Sequence, residues 1–325
     1  MSSLEDNWIV KIKGDDRLTT FPISRPGIWK FYKQQLAQFW VVEEVQFGQD
    51  KRDYQEKLSD GQRLFTDVSL TLFATMDKII NINIAEKFSK KFGVYEIDLY
   101  YNAQTTIENI HGEAYSLMIE TYITDEKKKA EMLDAWVSHP IIARIAKWIR
   151  DVYESENMSA AEALFRIVLI EGVIFPTGFV PIYWITDSST GLMKGLGHAN
   201  ELIARDETLH KLFGTHMQLV IRNPIKKSDA ESIVREIEPI CDAFAEACLP
   251  VDLPEMNKKM LCEYIRCLLD TTLIEHGFSA IYNVKNPFAF MEKILLNNKT
   301  NFFERTVSEY NKPRETRRYE VDQNF

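Results

Sequence analysis

Two copies of the motif Glu-x-x-His constrain the fold of this chain more than any other feature. One joins Glu108 to His111 and the other joins Glu207 to His210, and both lie in stretches with helical periodicity. Side chains three positions apart share one face of a helix, so each pair can direct a carboxylate and an imidazole to one point. Two such pairs, with one carboxylate from each of two further helices, form the ligand set of a dinuclear metal centre in a ferritin-like bundle.

The composition is that of an ordinary globular protein. The 325 residues are 45% apolar and carry a net charge of −9, which argues against a general affinity for nucleic acid. The four cysteines show no Cys-x-x-Cys spacing, so we interpret them as free thiols in a reducing compartment. The N-terminal sequence MSSLEDNW lacks the apolar core of a signal peptide. We therefore expect a cytoplasmic protein.

Helical periodicity dominates the chain, and no run alternates with the period of a strand. Helices are predicted at 28–45, 61–91, 96–123, 127–152, 159–185, 196–221, 228–247, 254–283 and 287–296. The segment 163–185 is apolar enough to span a bilayer, but Glu171 in its middle would be costly there. It therefore predicts a helix buried in the bundle, kinked or broken at Pro176. The expected fold is an all-α, ferritin-like helical bundle with additional helices and no membrane span.

The ends of the chain differ from its middle. We predict an N-terminal extension at 1–20, a single helical domain at 21–303 and a flexible C-terminal tail at 304–325. The tail is polar and basic and has too few apolar residues to order itself. Because it ends in the spaced apolar residues Tyr319, Val321 and Phe325, it has the pattern of a docking peptide. A frayed terminus is the alternative.

Two further carboxylates complete the candidate ligand set. Glu171 has apolar neighbours on both sides, and Asp77 interrupts an otherwise apolar helix. An unpaired charge on such a face is expensive, so each requires a partner. A buried salt bridge would serve for either residue alone. With both motifs present, a shared metal site is the simpler account. The other four histidines have no Glu three positions earlier, and we interpret them as ordinary residues: His139, His198, His216 and His276.

The six candidate ligands favour a redox metal. Four carboxylates balance two divalent cations, and oxygen donors with imidazole suit iron or manganese. A reduced centre of this kind with open positions can react with dioxygen. Tyr115 lies one helical turn beyond His111. It is the nearest oxidisable side chain, although the pattern alone favours core packing for a tyrosine there.

These residues stand in segments that resemble the small, radical-generating subunit of class I ribonucleotide reductase, of the eukaryotic and viral type. The resemblance extends from about Phe21 to Phe325. The segments that carry it are 28–33 (IWKFYK), 39–45 (FWVVEEV), 76–77 (MD), 107–117 (IENIHGEAYSL), 171–175 (EGVIF), 200–210 (NELIARDETLH) and 301–310 (NFFERTVSEY).

The resemblance implies a role for each matching residue. The six metal ligands would be Asp77, Glu108, His111, Glu171, Glu207 and His210. Tyr115 would carry the radical, and Phe175, Phe179 and Ile203 would line the apolar pocket that shields it. Trp40 and Asp206 would begin an electron-transfer chain, with the aspartate linking Trp40 to His111. Tyr310 would relay the oxidation to the large catalytic subunit, and the tail 319–325 would dock on that subunit. The resemblance also implies a homodimer, and a di-iron centre with manganese not excluded.

Two other functions remain compatible with the metal ligands. A ferritin-like ferroxidase would use the same six residues, but gives no reason for Tyr115, Trp40, Tyr310 or the tail. A di-iron oxidase acting on a small or lipid substrate would need an open channel beside the metals. Because one bundle hosts all three activities, the fold alone does not separate them.

Overall fold

The structure is a computed structural model. It describes residues 18–83, 88, 92–186, 190–249 and 256–291. Within those residues the secondary structure is helical, with no β-strand, so the predicted all-α class is confirmed. The helices are α1 (Pro26–Ala37), α2 (Gly48–Glu56), α3 (Asp60–Asn83), α4 (Tyr95–Tyr122), α5 (Glu126–Leu133), α6 (Ala135–Ser138), α7 (Pro140–Glu154), α8 (Ala160–Leu169), α9 (Phe175–Thr186), α10 (Lys194–Val220), α11 (Lys227–Cys248) and α12 (Lys258–Glu275).

The long helices form the centre of the bundle. Helix α3 packs along α4, while α10 packs against α4, α8 and α9. Helix α1 lies across α4 and α10 and closes one side of this group. Each of these helices turns an apolar face inward, and burial of such faces supplies most of the stability of helices this long. Five of the six predicted metal ligands lie on α3, α4 and α10, and the sixth, Glu171, lies between α8 and α9.

The apolar segment Ala160–Thr186 is long and apolar enough to cross a membrane, yet 89% of its most apolar stretch is buried inside the protein. It begins with a capping box, in which Ser159 accepts the N–H of Glu162 and Glu162 accepts the N–H of Ser159. It is therefore a core helix of the bundle, as the charge at Glu171 predicted.

This core helix is interrupted, but not at the predicted place. The residues Ile170–Ile174 form a π-helical turn, closed by the N–H of Phe175 donating to the carbonyl of Ile170. Pro176 lies in the first turn of α9, which continues from there. A proline has no N–H and its ring crowds the carbonyl four residues earlier, so the distortion appears in the turn before it. Glu171 is the second residue of that turn.

The predicted helix at 127–152 is three helices in the structure. Asp125 caps α5 by accepting the N–H groups of Lys127 and Lys128. The ring of His139 accepts the N–H of Ile142, and Pro140 occupies the first position of α7. Proline is favoured at that position, and the residue before it is driven out of the helical region. Apolar periodicity continues across these ends, and so the sequence pattern concealed them.

By its contacts the chain divides into two units, Met1–Pro287 and Phe288–Phe325. The first contains all twelve helices. Of the second, the structure describes 288–291, where the rings of Phe288 and Phe290 lie 5.6 Å apart. The predicted extension at 1–20 and tail at 304–325 fall almost wholly outside the described residues. The predicted domain boundaries therefore stay predictions.

Candidate metal centre

The centre lies where α3, α4, the π-helical turn and α10 meet. Helix α3 contributes one carboxylate, α4 and α10 contribute one Glu-x-x-His pair each, and the π-helical turn contributes another carboxylate. None of these side chains is more than 2% exposed. The six residues are Asp77, Glu108, His111, Glu171, Glu207 and His210. The structure thus brings together all six residues that the sequence analysis predicted as ligands.

The six residues form two overlapping groups, each compact enough for one ion. Donor atoms in each group lie within 4.8 Å of one another. Glu108 belongs to both groups. The first group is Asp77, Glu108 and His111, and the second is Glu108, Glu171, Glu207 and His210. A shared carboxylate between two adjacent cation positions is the arrangement of a bridged dinuclear site.

The two Glu-x-x-His pairs converge on each other across the bundle. Nδ1 of His210 lies 2.9 Å from Oε2 of Glu207 and 3.0 Å from Oε1 of Glu108. Nδ1 of His111 lies 3.0 Å from Oε1 of Glu207, without the geometry of a hydrogen bond. The imidazole nitrogens and the carboxylates therefore face a common space between α4 and α10.

The charges in this space are poorly compensated by the protein. Both oxygens of Asp77 and Oε2 of Glu171 are buried and have no hydrogen-bond partner among the described residues. Burial, and then the neighbouring carboxylates, raise the pKa of Asp77 and that of Glu171 well above the usual range. Such groups are stable in their charged form only beside a positive charge.

The pKa values of the two histidines are also raised, which for an imidazole favours the charged form. Burial alone would lower these pKa values, but the surrounding carboxylates have the larger effect. Glu108 and Glu207 raise the pKa of His210 to about 9, and Glu207, Asp206 and Glu108 raise the pKa of His111 well above its usual value. Against the effect of burial, the two imidazoles lower the pKa of Glu108. A hydrogen bond with Glu171, and then the imidazoles, lower the pKa of Glu207. Without metal ions, the raised pKa values of the histidines favour protonated imidazoles beside these carboxylates.

Two glutamines that the sequence analysis missed lie against this cluster. Nε2 of His210 lies 3.0 Å from Oε1 of Gln35 on α1. The amide of Gln104 donates to Glu108 over 3.2 Å and to Glu171 over 3.5 Å. Gln104 precedes Glu108 by one helical turn, so helical spacing could have indicated it. Gln35 is 175 residues from His210, and no local pattern points to it.

Trp40, Asp206 and His111 form a connected chain. Nε1 of Trp40 donates to Oδ2 of Asp206 over 2.9 Å, and the same oxygen lies 3.3 Å from Nε2 of His111. All three side chains are at most 2% exposed. Asp206 therefore fixes the orientation of the imidazole, as a partner of a metal-bound histidine commonly does.

Tyr115 is buried, at 1% exposure, with its ring against aromatic side chains. Its ring stacks on Phe73, with centroids 4.8 Å apart and planes at 22°. The ring centroid of Phe73 lies 5.0 Å from that of Phe179 and 5.7 Å from that of Phe175. Ile203 is buried on α10, four residues before Glu207. The hydroxyl of Tyr115 has no hydrogen-bond partner among the described residues, and burial raises its pKa well above the usual range.

Phe73 is the pocket residue that the sequence analysis missed. It lies on α3 one turn before Asp77, so it shares the inward face of that helix. Its position depends on Gly178, where a Cβ atom would lie 2.6 Å from Cζ of Phe73. Only a residue without a side chain fits there. The predicted relay residue Tyr310 lies outside the described residues, and so does the predicted docking peptide 319–325.

Comparison with known proteins identifies the family of the chain. Residues 17–287 match the family model of the ribonucleotide reductase small chain. The chain belongs to this family. It is 39% identical over 311 residues to a ribonucleoside-diphosphate reductase small subunit of Dictyostelium discoideum, covering 95% of this chain and 91% of the relative. It is 40% identical over 297 residues to a small chain of Yaba-like disease virus, covering 91% and 90%.

Solved structures agree with this membership. The Rnr4 homodimer of Saccharomyces cerevisiae, a ribonucleotide reductase, matches with a TM-score of 0.77 and 30% identity, covering 92% of this chain and 91% of that one. The dimanganese(II)-NrdF of Streptococcus sanguinis matches with a TM-score of 0.75 over 87% of this chain and 99% of that one. At 15% identity it supports the fold alone. The predicted ferritin-like fold and family are confirmed.

Membership of the ribonucleotide reductase small-chain family settles the class of activity. The chain is a subunit of an oxidoreductase, ribonucleoside-diphosphate reductase. As a small subunit it acts together with a large subunit. The buried carboxylate and histidine cluster is a possible metal site of this reductase subunit.

Proposed function

We propose that this small subunit holds two metal ions and uses them to oxidise Tyr115 to a stable radical for the large subunit. The observation that carries the metal proposal is Asp77, which is 1% exposed with both carboxylate oxygens unpartnered in the described chain. A buried carboxylate without a partner stays charged only where a cation compensates it. Two donor groups sharing Glu108 provide for two cations.

Iron is the metal we propose for both positions, with manganese as the alternative. The donor set contains carboxylate oxygens and imidazole nitrogens but no thiolate, which suits either metal and disfavours a structural zinc site. The streptococcal neighbour that holds two manganese ions is too distant in sequence to decide between them. When bound and reduced, the metals would supply the reaction with dioxygen that provides the oxidising power.

Tyr115 would be the residue that stores this oxidising power. Because burial keeps its phenol protonated, oxidation removes an electron and a proton together and leaves a neutral radical. Phe73, Phe175 and Phe179 exclude water and reductants from the ring. Exclusion of competing reactions is the protein's main contribution to the lifetime of a reactive group.

The oxidising equivalent would leave along Trp40 and Asp206. The hydrogen bond from Trp40 to Asp206 gives the indole proton an acceptor when the ring loses an electron. Tyr310 and the tail 319–325 would complete the route and dock on the large subunit. We also propose a homodimer, supported by the homodimeric yeast relative, and a cytoplasmic location.

The relatives favour this function over the two alternatives. A ferroxidase or an oxidase acting on a small substrate would use the same ligands, but neither accounts for similarity to reductase small chains over more than nine-tenths of this chain. Neither would require the Trp40–Asp206–His111 chain.

The test is the variant Tyr115→Phe, with Tyr101→Phe as a matched control. Tyr101 is a buried tyrosine on the same helix, outside the cluster. Both proteins are loaded with iron, exposed to oxygen and examined by metal analysis, EPR and reductase assay with the large subunit. Tyr115→Phe should keep two metals per chain but lose the radical signal and the activity, while Tyr101→Phe keeps all three. Full activity of Tyr115→Phe would overturn the proposal.

A further inference from the structure

The carboxylate of Asp50, on α2, connects the two helices that carry the Glu-x-x-His pairs. It is fully buried and accepts three hydrogen bonds. Oδ1 accepts the N–H of Gly195 over 3.0 Å, and Oδ2 accepts the N–H of Leu196 over 2.6 Å. Oδ2 also accepts the hydroxyl proton of Tyr122 over 3.0 Å. Gly195 and Leu196 lie at the start of α10, and Tyr122 is the last residue of α4.

The start of α10 is held tightly against α2. At Gly195 an added Cβ would collide with the carbonyl oxygen of Gln46 and lie 2.8 Å from Oδ2 of Asp50. Met193, just before the helix, adopts a left-handed backbone with φ of 50° and donates its N–H to Asp53 over 3.1 Å. Two buried carboxylates therefore cap this N-terminus, where the helix dipole favours negative charge.

Continuous stretches of α4 and α10 connect the contacts of Asp50 to the proposed metal centre. Glu207 lies eleven positions after Leu196 on α10, and Tyr122 lies eleven positions after His111 on α4. Each span is about 16 Å of continuous helix. Neither span contains a proline that would kink the helix. An axial shift of either helix at Asp50 would therefore shift the ligand residues on that helix by nearly the same distance.

We infer that Asp50 is a positioning residue for the metal centre, which sets the axial register of α10 against α4. This inference rests on the proposed dinuclear site. It has a specific consequence, because only one donor group depends on that register. Glu207 and His210 come from α10 and must meet Glu108 of α4. The other group draws Asp77, Glu108 and His111 from α3 and α4 alone.

Loss of Asp50 should therefore weaken one metal position and spare the other. In Asp50→Asn the side-chain NH₂ opposes a backbone N–H of α10, and the charge at the helix N-terminus is lost. Tyr122→Phe removes only the bond to α4, so it tests the same junction with a smaller risk of unfolding. Asp270→Asn is the control, since Asp270 is also buried and accepts three backbone N–H groups, from Ile281, Tyr282 and Asn283.

The measurement is titration of the full-length, metal-free proteins with Mn²⁺, with free Mn²⁺ followed by EPR, alongside thermal denaturation. Wild type and Asp270→Asn should bind two ions each. In Asp50→Asn one ion should bind about tenfold more weakly or worse, the loss typical when an outer partner of a ligand is removed. The other affinity should stay unchanged. Tyr122→Phe should show the same selective pattern in smaller degree.

Two results would overturn the inference. One is a lowered melting temperature in Asp50→Asn with both Mn²⁺ affinities unchanged, which would make Asp50 a purely structural residue. The other is an equal weakening of both positions. Failure of the proposed dinuclear site gives a different result, since wild-type protein would then bind fewer than two ions.

Discussion

Phe73 and Tyr115 form a stacked pair in the centre of the bundle, with ring centroids 4.8 Å apart. Phe73 is fully buried and lies between Tyr115 and the rings of Phe175 and Phe179. The pair thus joins the proposed radical residue to every predicted aromatic residue of its pocket.

Replacement of Phe73 by Leu should shorten the lifetime of the Tyr115 radical. The smaller side chain leaves space beside the phenol ring and costs about 1–2 kcal/mol of stability. The measurement is decay of the EPR signal after addition of a one-electron reductant. Phe165→Leu is the control, because Phe165 is equally buried but contacts His276 instead. Equal decay rates in the two variants would contradict a shielding role for Phe73.

Replacement of Asp206 by Asn should separate radical formation from radical use. The amide can still accept a bond from Trp40 but is a far weaker proton acceptor than the carboxylate. We expect reductase activity per radical to fall about 10- to 100-fold, the range for outer partners of metal ligands. Radical content by EPR and deoxynucleotide formation are measured on the same samples. Asp242→Asn, at an ion pair with Arg266, is the control. Unchanged activity per radical would exclude Asp206 from the relay.

Replacement of Asp77 by Asn should change stability in opposite directions with and without metal. In the metal-free protein it removes a buried carboxylate that has no partner among the described residues. We expect a gain of about 1–3 kcal/mol there. With Fe²⁺ or Mn²⁺ bound, a ligand is lost and the variant should be less stable than wild type. Thermal denaturation with and without metal shows both signs. A loss of stability in the metal-free state would indicate that Asp77 has a protein partner.

The stabilisation conferred by metal should increase with pH between about 6.5 and 9. His210 has a pKa raised from 6.5 to about 9 in the folded, metal-free protein. The folded state therefore binds more protons than the unfolded state in this range, and the stability of the metal-free protein falls as pH rises. Metal ions compete with the same protons, so metal binding tightens over that range. The difference in melting temperature between loaded and metal-free protein should widen accordingly. A difference independent of pH would show that His210 is not protonated in the metal-free protein.

Helical spacing explains how much of the site was predictable. The residues of a Glu-x-x-His pair share a helix face, which indicates Glu108, His111, Glu207 and His210. An acidic residue among apolar ones requires a partner, which indicates Asp77 and Glu171. Phe73 lies one helical turn before Asp77, so helical spacing could also have placed it on the same face of α3. Its role became visible only when α3, α4 and α9 were packed together.

The remaining features depend on contacts distant in sequence or on backbone detail. Gln35 approaches His210 across 175 residues, and Asp50 meets Gly195 across 145. The apolar pattern of 127–152 continues through two helix ends, because each end is formed at a single residue, Asp134 or His139. Periodicity reports which face of a helix is buried, but not which buried polar groups will meet.

The π-helical turn at Ile170–Ile174 makes the length of this segment as important as its composition. Its hydrogen bonds span one residue more than those of an α-helix. This extra residue determines the direction in which the pocket residues of α9 point relative to Glu171. A one-residue deletion here would rotate α9 by about 100° relative to α8. Phe179 and Gly178 would then leave Phe73, although every proposed metal ligand remained in the sequence. Alignments of related chains should thus tolerate exchanges between apolar residues in this segment far more readily than gaps.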